Sequence, residues 1–106
     1  MPEIIRALLA ELKVGLKKVY GKRLKEVYVF GSYARGEQDS ESDLDVMIVL
    51  KGLDQYQTEL ERTGELVSTL SLKNGITISR VFISERDWLE GDTPLLRNVR
   101  VESVAA

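Results

Sequence analysis

The stretch that most narrows the possible folds is residues 43–50, Asp-Leu-Asp-Val-Met-Ile-Val-Leu. After its two acids the run is apolar at every position and too short for an ordinary helix. It therefore predicts a central strand, buried on both faces. Side chains alternate along a strand, so Asp43 and Asp45 point the same way, about 6–7 Å apart. Two acids at the entrance to an apolar strand are costly unless a cation or a solvated cleft compensates them. A divalent metal is the natural guest, because Mg²⁺ is commonly held by one or two carboxylates together with substrate phosphates.

A second apolar run, residues 25–30, predicts another strand, and it stops at Gly31-Ser32. Glycine lets a phosphate approach the backbone closely, and the serine adds a hydroxyl donor. The pair is expected to open a short helical turn whose N–H groups face a bound phosphate. Arg35 has two open readings: contact with triphosphate oxygens, or a surface ion pair with Glu37 or Asp39. The polar residues 37–42 read as a solvated loop.

Gly31-Ser32, ten intervening residues and Asp43-Leu44-Asp45 together resemble the signature of the polymerase β-like nucleotidyltransferases. With Ala34-Arg35-Gly36 and Ser42 in place, the stretch is similar to the minimal nucleotidyltransferases (MNT proteins), and a looser likeness extends over most of the chain. The resemblance implies one minimal nucleotidyltransferase domain over residues 1–106. Its fold would be α/β (α+β), with a mixed sheet of three strands or slightly more flanked by helices. It also implies Mg²⁺, in a one- or two-ion site on Asp43 and Asp45, and ATP as substrate. Gly31 and Ser32 would hold the β- and γ-phosphates, and Arg35 would help neutralise the leaving pyrophosphate.

Members of this family generally carry a third carboxylate on the following strand, residues 76–83, where it binds metal and deprotonates the attacking hydroxyl. By register that slot falls on Ser79, with Arg80 as the alternative, and neither is acidic. Glu85 and Asp87 lie beyond the strand, in what reads as the Ser84-capped start of a short helix.

Composition limits the acceptor. A chain of 106 residues with 43% hydrophobic and 30% charged residues is ordinary for one small globular domain. Its net charge of −2 supplies no extended basic surface for nucleic acid. There are no cysteines and no histidines, so disulfides, thiolate metal sites and a histidine base are excluded. Charged residues interrupt the N-terminal apolar positions, which argues against a signal peptide or membrane span and makes the cytoplasm the expected location.

The rest of the chain reads as scaffold. Residues 2–19 predict an amphipathic helix, with Ile4, Ile5, Leu8, Leu9, Leu12, Leu16 and Val19 on one face and Tyr20-Gly21 as its stop. Lys13, Lys17 and Lys18 read as a solvated face. A helix from an Asp54 cap to about residue 73 would bury Tyr56, Leu60, Thr63, Val67 and Leu70. Gly64 in its middle suggests close packing or a weak point. Trp88 reads as core, and a last helix begins at Pro94, with Arg97 and Arg100 on its outer side.

With no room for an acceptor-recognising domain, specificity is expected from a partner in a hetero-oligomer. The resemblance supplies one: minimal nucleotidyltransferases are often paired with a HEPN-family toxin, act as its antitoxin and add AMP to a toxin tyrosine. The competing expectation is a catalytically weak or inactive antitoxin-like subunit that neutralises its partner by covering it. A standalone transferase acting on a small-molecule hydroxyl comes last.

Overall fold

The computed structural model describes residues 1–106. Helix α1 (Glu3–Tyr20) leads through a 3-10 turn into β1 (Leu24–Phe30), which ends at the four-residue helix α2 (Ser32–Arg35). After the polar loop come β2 (Leu44–Leu50), α3 (Tyr56–Asn74) and β3 (Ile78–Ser84). Helices α4 (Glu85–Glu90) and α5 (Pro94–Glu102) and a two-residue strand β4 (Val104–Ala105) complete the chain.

The sheet is mixed, in the order β3-β2-β1-β4, with β2 parallel to β3 and antiparallel to β1, and β4 antiparallel to β1. This is the expected α/β architecture, with β2 central and Val46 to Leu50 all buried. A fourth strand is within the expected sheet size, but with only two exposed residues it is too short to show a hydropathy period that would locate it in the sequence.

Each face of the sheet has its own core. Leu44, Val46, Ile48 and Leu50 join Val27, Val29 and Phe82 under α1 and α3. Met47, Val49 and Ile83 face the other way and pack with Leu96 and Val99 of α5. Burying a side chain of this kind is worth about 1.5–3 kcal/mol, so the two cores hold the strands from both sides. Trp88 of α4 is half-buried and stacks on Tyr28, with ring centroids 4.7 Å apart.

Several expectations change at the edges. Helix α1 buries Ile5, Leu8, Leu9, Leu12, Leu16 and Tyr20, whereas Ile4 and Val19 point outward, because the stripe rotates with the true helical period. Asp54 caps nothing. Gln55 stands at the N-cap of α3, without a side-chain bond. Tyr56 is exposed, although its hydroxyl accepts the Phe82 N–H at 3.1 Å and its ring meets Phe82 edge-on. Gly64 has open space where a Cβ would stand; the close approach of α1 to α3 is at Gly15, whose Cβ would come within 2.5 Å of Leu66 Cδ1. Strand β3 begins at Ile78 rather than at residue 76.

Candidate active site

The end of β1 and the start of β2 meet at one end of the sheet. Asp43 lies exposed just ahead of β2, and Asp45 is its half-buried second residue. Across the antiparallel pair Asp45 stands opposite Phe30, which brings the Gly31 turn against it. Gly31 has φ +74°, and a Cβ there would sit on Asp45 Oδ2. Both the backbone angle and the space require glycine. Ser32 opens α2, and Gly36 ends it in the left-handed conformation.

The two carboxylates are poorly compensated. Burial raises the pKa of Asp45, and Asp43 and Glu102 raise it further, with only Arg35 opposing them. Ionised Asp45 thus sits among like charges, the situation a bound cation relieves. The donor set fits Mg²⁺ in that respect. It is a pair of acids and not a cage, since no group of three or more His, Cys, Asp or Glu side chains is gathered anywhere. Phosphate oxygens from a substrate would have to complete the coordination.

The third-acid slot is resolved by register. Ser79 pairs with Asp45 across the parallel β2–β3 ladder, and directly opposed residues share a face. Arg80 faces the helical layer, donating to Thr63 Oγ1 at 2.8 Å and to Leu60 O at 3.0 Å. Glu85 and Asp87 begin α4 at the opposite end of β3, about 20 Å from Ser79 at the usual strand rise. Neither reaches the aspartates.

Arg35 makes two ion pairs, one of them with a partner the local sequence did not suggest. Its Nε donates to Glu37 Oε2 at 3.0 Å, as expected, while NH1 donates to Glu102 Oε2, also at 3.0 Å. The other oxygen of Glu102 accepts the Gly31 N–H at 3.0 Å. Those two bonds hold the Glu102 carboxyl below the usual carboxylate range, the Gly31 N–H contributing most. The amide expected to face phosphate is therefore occupied by a carboxylate 71 positions away. One local sign existed: an acid in the last turn of α5 opposes the helix dipole.

The arginines of α5 are turned elsewhere. Arg97 pairs with Asp92 at 3.1 Å, and Arg100 donates to Trp88 O and lies 5.5 Å over its ring. The widest concavity, about 540 Å³, lies between α1 and β4 and contains none of the predicted site residues. The aspartates occupy an open rim.

The nucleotidyltransferase domain model matches residues 9–102. A relative from Methanocaldococcus jannaschii, named as a proposed protein adenylyltransferase, is 38% identical over 79 residues, 74% of this chain and 78% of its own. The solved structure of a protein described as a minimal nucleotidyltransferase superposes with a TM-score of 0.59 at 29% identity, covering 96% of this chain and 92% of that one. The fold also matches, at TM-score 0.52 and 19% identity over 92% of this chain and 68% of that one, a chain from the complex of a tri-AMPylated Shewanella oneidensis HEPN toxin with its MNT antitoxin. With a Gly-Ser turn set against a carboxylate pair at the sheet end, and a family match that spans both, this chain is an enzyme of the nucleotidyltransferase domain family.

Proposed function

We propose that the protein transfers AMP from ATP to a hydroxyl of a partner protein, acting as the antitoxin of a HEPN-family toxin and modifying one of its tyrosines. The observation that carries this reading is the poorly compensated Asp43/Asp45 pair beside the Gly31–Ser32 turn. A site that had become only a binding surface would gain by losing two mutually repelling acids. The adenylyl group is supported by the naming of the M. jannaschii relative, and the partner by the AMPylated toxin–antitoxin complex.

In this reaction the acceptor oxygen bonds to the α-phosphorus, the α–β bridging bond breaks, pyrophosphate departs and the hydroxyl proton passes to solvent. Asp43 and Asp45 would hold Mg²⁺, which when bound supplies charge neutralisation at the phosphates. Ser32 and the Gly31 backbone orient the β- and γ-phosphates, and Arg35 offsets charge on the leaving group. The whole 106-residue chain serves as the transferase domain, and the acceptor is recognised by docking of the partner.

A second reading has its own observation. Ser79 stands opposite Asp45 where the family places its third acid, which favours a subunit that neutralises its toxin by covering it. The intact mass of the co-purified partner after incubation with ATP and Mg²⁺ separates the two. We expect an AMP adduct with wild type and about a thousandfold slower formation with Asp43→Asn/Asp45→Asn. A stable complex with no adduct from wild type overturns the transferase reading in favour of the covering one.

A further inference from the structure

We propose that Glu102 is an internal stand-in for phosphate, so that a nucleotide enters the site by displacing it. This rests on the reading of Gly31, Ser32 and Arg35 as a triphosphate site. Glu102 presents two anionic oxygens to the two donors expected to receive phosphate oxygens: Oε1 accepts the Gly31 N–H and Oε2 accepts from Arg35, each at 3.0 Å. A carboxylate and a phosphate edge offer the same paired acceptors, and such charge-assisted bonds are the stronger kind. Both ligands cannot hold the same donors at once.

The placement of Glu102 is built by tertiary structure. Leu96 and Val99 anchor α5 in the second core, and β4 pairs with β1 immediately after Ser103. These two anchors bring the last helical residue to the Gly31 turn from opposite sides. At that position an acid opposes the helix dipole, so local preference does not account for it. The side chain is not sealed from solvent: it is 21% exposed, and its arginine partner 44%.

The consequence is a threshold on nucleotide affinity. Glu102 engages the Gly31 and Arg35 donors, and triphosphate must supply more than Glu102 gives up.

The test is calorimetric titration of the full chain with ATP and, separately, with inorganic tripolyphosphate, both with Mg²⁺. Amide spectra follow the Gly31 N–H. Glu102→Ala should bind both ligands about tenfold more tightly than wild type. Glu102→Gln, which keeps an acceptor for Gly31 but loses the charge facing Arg35, should gain less. It also serves as the control should the alanine variant fold poorly. In wild type the Gly31 amide resonance should shift on ligand addition, and in Glu102→Ala it should already be displaced before any is added. Equal or weaker binding by both variants, with wild type still binding, overturns the proposal and makes Glu102 a positioning residue for Arg35. If neither wild type nor variant binds ATP or tripolyphosphate, the triphosphate reading falls and the stand-in role falls with it.

Discussion

Two acidic centres lie in this molecule, and they are built on opposite principles. At one, Glu59 of α3 is 1% exposed yet fully partnered. Its Oε1 accepts from the Tyr20 hydroxyl at 3.0 Å and from Arg62 at 3.2 Å, and its Oε2 accepts from Arg23 at 3.2 Å. At the other, Asp45 is less buried but has acids as its neighbours. The first centre ties α1, the 3-10 turn and α3 together, and Arg23 reaches on to Gly52 O at 2.9 Å. The second stores repulsion that a cation can release. A buried acid with every oxygen engaged is scaffold, whereas a partly exposed acid left facing other acids is equipped for a ligand.

Breaking the partnered centre should have the larger effect on stability. Glu59→Ala leaves Tyr20 and two arginines without their acceptor. Because those arginines are partly exposed, the loss should be about 2–3 kcal/mol, below that of a fully buried pair. Denaturant unfolding measures it. Transfer activity per folded molecule should be nearly unchanged, since no Glu59 contact reaches Asp43 or Asp45; a proportionate loss of activity would erase the distinction between the two centres.

Adding charge to the unpartnered centre should sharpen the contrast. Ser79→Asp places a third carboxylate opposite Asp45 and should cost about 1 kcal/mol in metal-free buffer. Millimolar Mg²⁺ should restore the melting temperature of this variant and raise that of wild type less. A variant indifferent to Mg²⁺ would show that Ser79 does not face the metal site.

The smallest effect comes from removing one charge. The folded pKa of Asp45 is raised above its ordinary value of 3.8, so its contribution to stability is full below the unfolded pKa and declines as pH rises through the folded one. Asp45→Asn should therefore melt about 2–4 °C above wild type at neutral pH, with the gain vanishing below about pH 4. A gain that persists into acid would assign the effect to packing. Glu102 runs the opposite way: its lowered pKa stabilises the fold above the unfolded value, and that support is lost as pH falls through the folded one.

Glu59 also shows where sequence reading fell short. It lies on the same helical stripe as Thr63, Val67 and Leu70, but an acid in an apolar stripe is ordinarily assigned to solvent. Only the convergence of Tyr20, Arg23 and Arg62 makes its burial affordable. Tyr20 shows the reciprocal effect, since burial first and Glu59 second push its hydroxyl pKa upward. Arg35 was legible as a cation of the Gly-Ser turn, and Glu37 as one of its partners, because two residues of separation leave few alternatives. Glu102 was not legible, nor was the engagement of Arg97 and Arg100 within their own neighbourhood.

By itself the sequence determined the parts whose physics is local. Helical and strand periods, the Gly31 turn, the Ser84 cap, the helix start at Pro94 and the two carboxylates at the head of a doubly buried strand depend on neighbours a few residues away. Sterics and hydropathy act over that range. Tertiary structure alone decided that β4 closes the sheet edge and that Glu102 occupies the Gly31 amide, and it chose Ser79 over Arg80 as the neighbour of Asp45. Those contacts join residues far apart in the chain, and they exist because α5 packs against a sheet whose order and register, β3 included, are set by the whole core together.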